Sequence, residues 1–86
     1  MEKRRIKKLK IVEKKLGREK AWGFCYWDKP KIEIDVRAKG KKRLGYLVHE
    51  LIHKAFGPEL AEYKVIIAER IIRDGLWQDN YRQVDQ

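Results

Sequence analysis

Apolar and polar positions alternate most clearly between Lys31 and Val36, where Ile32, Ile34 and Val36 interleave with Lys31, Glu33 and Asp35. A period of two sends successive side chains to opposite faces, so this segment is expected to be a strand with one face buried. Ahead of it, the aromatic-rich run from Ala21 to Trp27 reads as another strand, and Asp28-Lys29-Pro30 supplies the turn that joins the two as a hairpin. A first strand is placed at Lys8 to Val12, although Ile6, Leu9 and Ile11 fit neither period well. After Gly40 the spacing changes. Leu44, Leu47, Val48, Leu51, Ile52 and Ala55 form one apolar stripe at helical spacing, which predicts a helix from Lys41 to Phe56. In Gly57-Pro58-Glu59, Gly is a tolerated N-cap, Pro suits the first helical position and Glu complements the positive end of a helix. A second helix is therefore expected from there to Arg73, stopped by Asp74-Gly75, with Leu76, Trp77 and Tyr81 in a short closing turn packed back on the core. The elements sum to an α+β fold, a small antiparallel sheet of about three strands packed on a helical hairpin.

Composition narrows the setting. At 86 residues the chain is one domain, near the lower limit of what a single apolar core holds together. A hydrophobic content of 43% with three Trp, four Tyr and two Phe places it among folded proteins despite 41% charged residues. A single cysteine cannot build a disulfide framework, and no apolar run resembles a signal peptide or a membrane span. A membrane protein is thereby disfavoured, and a reducing cytoplasm is the expected location. Cys25 lies in Trp22-Gly23-Phe24-Cys25-Tyr26-Trp27 and is expected to be a small buried filler rather than a ligand.

The net charge of +9 is uneven. Residues 1 to 20 carry ten Lys/Arg against three Glu, while the remaining 66 carry 12 against 10. Residues 1 to 20 therefore read as a basic leader or first strand, and residues 21 to 86 as the domain proper. The field of such a leader would attract nucleic acid, an anionic membrane surface or an acidic protein. A second basic cluster, Arg37-Ala38-Lys39-Gly40-Lys41-Lys42-Arg43, precedes the first helix, where the macrodipole disfavours cations.

The residues that carry chemistry are His49-Glu50-Leu51-Ile52-His53, an HExxH motif in the middle of the expected amphipathic helix. Residues four apart lie on one helical face about 6 Å apart along the axis, so two imidazoles can converge on one ion at Zn–N distances of about 2.0–2.1 Å. Glu50, turned about 100° from His49, can reach a water on that ion without being a ligand. Both histidines fall at the flank of the apolar stripe, a position that suits a cleft. A catalytic zinc ordinarily has three protein ligands and an open position. Glu59, Glu62 and Glu69 are the candidates for the third. If the helices return antiparallel about Gly57, His53 and Glu62 lie about 6 and 7.5 Å from the turn, whereas Glu59 is too near at about 3 Å and Glu69 too far at about 18 Å. Glu62 is chosen, with Glu59 in reserve. The expected chemistry is peptide hydrolysis: the ion acidifies a water, Glu50 takes its proton and returns it to the leaving amine. Tyr63, Tyr81 and Arg82 are all candidates for stabilising the oxyanion, and the sequence does not choose among them. An extended peptide substrate would add to an exposed sheet edge, for which the strand Lys31 to Val36 is one candidate.

Taken together, the aromatic-Gly strand, the Ile32-Glu33-Ile34-Asp35 strand, the basic loop, His49-Glu50-Leu51-Ile52-His53 and the following helix bearing Glu62 resemble the core of the minimal gluzincin-type zincins. These include SprT-like and ImmA/IrrE-like peptidases and very small phage-type metallopeptidases. The resemblance covers residues 21 to 73. It implies a sheet lying over the active-site helix, an edge strand that binds substrate, Zn2+ held by His49, His53 and Glu62, and cytoplasmic action on DNA-bound or regulatory proteins. Lys54 departs from the pattern, because zincins usually keep an uncharged residue there. The rival reading is a basic nucleic-acid-binding module with a structural or vestigial zinc site, which would show salt-dependent binding and no dependence on Glu50. A three-histidine zinc ribonuclease is disfavoured because only two histidines exist. A deformylase is disfavoured because Cys25 lacks the Glu-Gly-Cys context.

Overall fold

The structure is a computed structural model that describes residues 8–17 and 21–83. Lys3-Arg4-Arg5 and Lys7 of the basic leader lie outside the described residues. Three strands precede two helices: β1 (Lys10–Lys14), β2 (Gly23–Cys25), β3 (Lys31–Asp35), α1 (Gly40–Phe56) and α2 (Glu62–Gln78). The fold is α+β, as the periodicities imply.

The sheet is mixed rather than antiparallel throughout. Its order is β1-β3-β2, with β2 antiparallel to β3 and β1 parallel to it. Ile11 aligns with Ile32 and Glu13 with Ile34 on one side, and Phe24 aligns with Glu33 on the other. A parallel pair needs a crossover of a dozen or so residues, and residues 15 to 30, which contain β2, provide one. The expected first strand is present, two residues later than the Lys8 to Val12 placement.

As the central strand β3 is paired along both edges, and both its faces are covered as well. Ile32 and Ile34 are fully buried towards α1, but Glu33 and Asp35 are also buried, so the expected solvent-facing polar face does not exist. Polar partners take the place of apolar cover. Glu33 pairs with Lys31 at 3.3 Å and Lys14 at 3.8 Å. The Asp35 carboxylate accepts hydrogen bonds from the Leu16 amide at 3.0 Å, the Arg37 amide at 2.8 Å, and Arg37 Nε and Nη2, both at 2.9 Å. Those bonds, led by the Arg37 side chain, hold its carboxyl well below the usual carboxylate range. Arg37 in turn lies over Trp22, and Trp22 stacks on Tyr46 of α1, so one column ties the sheet to the helix.

Helix α1 sits between the sheet and α2. Its single predicted stripe divides into two: Tyr46, Leu47 and Leu51 pack on Ile32, Ile34 and Ala38, while Leu44, Val48 and Ile52 meet Val65, Ala68 and Leu76. Ala55 is exposed and belongs to neither. The second helix starts and ends later than its local signals suggest. Gly57 closes α1 instead of capping α2, with φ of +81° and its amide donating to the His53 carbonyl at 2.8 Å. Pro58, Glu59 and Leu60 form the turn, and Ala61 is the N-cap of α2. Asp74-Gly75 does not stop the helix, since continuing to Gln78 seats Leu76 against the core. Leu76 and Trp77 are therefore helical, and Tyr81 is 60% exposed rather than packed back. Among the described residues, no helix is long and apolar enough to cross a membrane.

Candidate metal centre

Helix α1 presents His49 and His53 one turn apart on the seam facing α2, and α2 enters that seam with Glu62, its first residue. His49 Nε2 lies 2.9 Å from Glu62 Oε1, His53 Nε2 lies 3.1 Å from Glu62 Oε2, and the two Nε2 atoms are 3.2 Å apart. Ligand atoms spread tetrahedrally around an ion at about 2.0–2.1 Å stand roughly 3.3 Å from one another. The three atoms therefore have nearly the mutual spacing that a shared ion would impose. The side chains His49, His53 and Glu62 form the metal-competent cluster found among the described residues.

The protons reinforce this reading of the cluster. His49 Nδ1 is 2.9 Å from Glu69 Oε1, and a carboxylate can only accept, so the Nδ1–H must donate. In the neutral ring, Nε2 then carries a lone pair directed at the Glu62 oxygens and His53. Such a convergence of acceptors favours a cation. A carboxylate behind a metal-binding imidazole also fixes its tautomer and raises its basicity. Glu69 is itself held by Arg73, one turn on, at 3.6 Å. Glycine permits this arrangement: a Cβ at Gly45 would stand 3.0 Å from Arg73 Cδ and 3.2 Å from Glu69 Oε2. His53 has no such carboxylate. Its Nδ1 is buried without a partner, and its ring is set instead by the edge of Trp27 at 6.1 Å between centroids.

Glu50 is half-buried beside the cluster, under β2. Gly23 is what lets the strand pass so close, for a Cβ there would come within 2.8 Å of Glu50 Cγ. Burial raises the pKa of Glu50, the nearby His49 opposes the rise, and Glu62 and Glu69 add to it. A carboxyl shifted upward is a better proton acceptor for catalysis near neutral pH than an ordinary glutamate.

The other sequence candidates fall elsewhere. Glu59 stays outside the cluster, its carboxylate lying against Gly57. Glu69 contacts the far nitrogen of His49 rather than joining the ligand atoms. Tyr63, next to Glu62, is 62% exposed, and Tyr81 and Arg82 line a cavity at the opposite end of α1 with Lys39 and Arg43. Cys25 is buried, its thiol pKa pushed up chiefly by that burial, and it is not among the clustered ligands. Strand β3 is central, so it offers no edge to a substrate; β2 is an edge strand, and it is the one over Glu50. Lys54 donates to the carbonyls of Tyr26 and Lys29 and so clasps the β2–β3 turn to α1. Glu69, Gly23 and Lys54 were not assigned roles by pattern alone. The one available signal was that Glu69 follows Glu62 by seven residues, two helical turns on the same face.

No family model matches the chain. Comparison with curated proteins and with solved structures likewise finds no match.

Proposed function

We propose that the protein is a minimal zinc-dependent peptidase of the gluzincin-like kind, with His49, His53 and Glu62 as metal ligands and Glu50 as general base. The observation that carries this reading is the 2.9–3.2 Å convergence of two imidazole nitrogens and a carboxylate, with a second, half-buried carboxylate beside them. Two imidazoles, one carboxylate and an open fourth position form a donor set that suits catalytic zinc better than calcium or magnesium, which prefer all-oxygen shells. When bound, the ion acidifies a water and polarises the scissile carbonyl.

The chain's own residues do the rest. Glu50 accepts the proton from the attacking water and delivers it to the leaving amine nitrogen. Glu69 holds His49 in the tautomer that leaves Nε2 free to bind. Among the described residues the outer edge of β2 has no strand partner, so an extended peptide pairing with Gly23–Cys25 would lie across Glu50. Zinc-loaded protein is expected to cleave an unfolded protein substrate. Glu50→Gln should retain the metal and lose roughly 10²- to 10⁴-fold in rate. Cleavage by Glu50→Gln at the wild-type rate would remove Glu50 from the mechanism.

A further inference from the structure

The second basic cluster has no part in the candidate metal centre, yet it borders a cavity. This cavity, of about 490 Å³, lies at the N-terminal end of α1. That volume falls within the range of ordinary ligand pockets. Leu44 and Leu47 provide apolar lining, and the cationic side chains are Lys39, Arg43 and Arg82. Among the described residues Lys39 makes no ion pair. Arg43 is mostly buried, and its Nε has no hydrogen-bond partner; Nη2 reaches Glu13 at 3.5 Å. Among the described residues Glu13 is the one acid paired with this group, and it also accepts from Gln83 at 3.3 Å. Lys41, just outside, is already paired with Asp74 at 3.1 Å. The cavity thus has a surplus of positive charge and a buried donor in need of an acceptor.

Its aromatic side selects among anions. The Arg82 guanidinium lies 3.4 Å over the Trp77 ring, held there by Nη1 donating to the carbonyls of Trp77 at 2.7 Å and Tyr81 at 3.3 Å. This fixes a flat cationic plate. Arg82 and Tyr81 are both exposed, so each can take a planar ring against it. Guanidinium planes and tyrosine rings are the platforms on which unpaired nucleobases stack, while neighbouring Lys and Arg meet the phosphates. We propose that this cavity binds a nucleotide unit of single-stranded nucleic acid, with Tyr81 and Arg82 against the base and Lys39 and Arg43 towards the phosphate. An acidic peptide would use the charges and leave the aromatic side idle. The site is independent of the peptidase reading and stands or falls separately from it.

The test is binding of a short fluorescent oligothymidylate to the full chain, followed by anisotropy across a salt series. Tyr81→Ala is expected to weaken binding about tenfold. Lys39→Gln is expected to weaken it and to lower the slope of log K against log salt by about 0.7. Both positions are exposed, so neither change threatens the fold. The charge-matched control is Lys64→Gln with Phe56→Ala, two exposed positions away from the cavity, and it should bind like wild type. The proposal is overturned if wild type does not bind, or if the control loses as much as the cavity variants. It is also overturned if Tyr81→Ala has no effect while a polyglutamate peptide competes as well as the oligonucleotide does.

Discussion

The two helices have the same length, 17 residues each, but they are held very differently. Helix α1 is packed on both sides, by the sheet and by α2, and buries Gly45, Val48 and Ile52. Helix α2 buries Val65 alone and leaves Tyr63, Ile67 and Ile71 between 55% and 69% exposed. The candidate metal centre lies across that difference. His49, Glu50 and His53 stand on a helix packed on both sides, whereas Glu62 and Glu69 stand on one whose apolar anchorage is confined to a single face, through Val65, Ala68 and Leu76. Burial of apolar area is the main force that fixes a helix, so much of the positioning of α2 falls to the polar contacts across the seam. A bound ion would therefore act as a joint between the two helices.

The largest expected effect concerns that joint. In hydrogen exchange on metal-free protein, the amides of α2 should exchange before those of α1. Zinc at about a thousandfold over its Kd should stabilise the native state by about 4 kcal/mol and raise protection most in α2. Equal protection of both helices with and without zinc would remove the contrast. Next in size is Glu69→Gln, which keeps the shape of the side chain but weakens the orientation of His49. Zinc affinity should fall about 10- to 100-fold while the fold survives. An unchanged affinity would make Glu69 merely a partner of Arg73. Smallest is Gly23→Ala, in the sheet that packs on α1. The added methyl meets Glu50 Cγ at 2.8 Å, so β2 or Glu50 must move, at a cost of about 1–3 kcal/mol measurable by chemical denaturation. Zinc content should not change, since Glu50 is not a ligand.

The same contrast explains what could be read in the residues. The period-two run at β3 and the helical stripe of α1 are strong because these elements are buried, and burial is what writes a pattern. Their bounds match the expectation to within a residue. The three ligand candidates His49, His53 and Glu62 come together because helical rise alone levels Glu62 with His53. Where the pattern was weak, non-local forces decided. Ile11 is 45% exposed, so nothing in β1 signalled that it would run parallel to β3. Gly57-Pro58 carries sound N-terminal chemistry, but the positive φ of Gly57 was taken to finish α1. Backbone rise set Glu69 aside as a ligand, and it does stay outside the ligand atoms, but rise alone ignores the reach of its side chain back to His49 Nδ1. Tyr81 and Arg82 could be placed at neither end of α1 before the length of α2 was known.

The most direct test is the metal content of purified protein by elemental analysis, wild type against Glu62→Ala, with circular dichroism to show that both are folded. The account predicts stoichiometric zinc in the wild type and loss of it in the variant. Full zinc occupancy in folded Glu62→Ala, or none in wild type purified with zinc present, would contradict the claim that α1 and α2 share one ion.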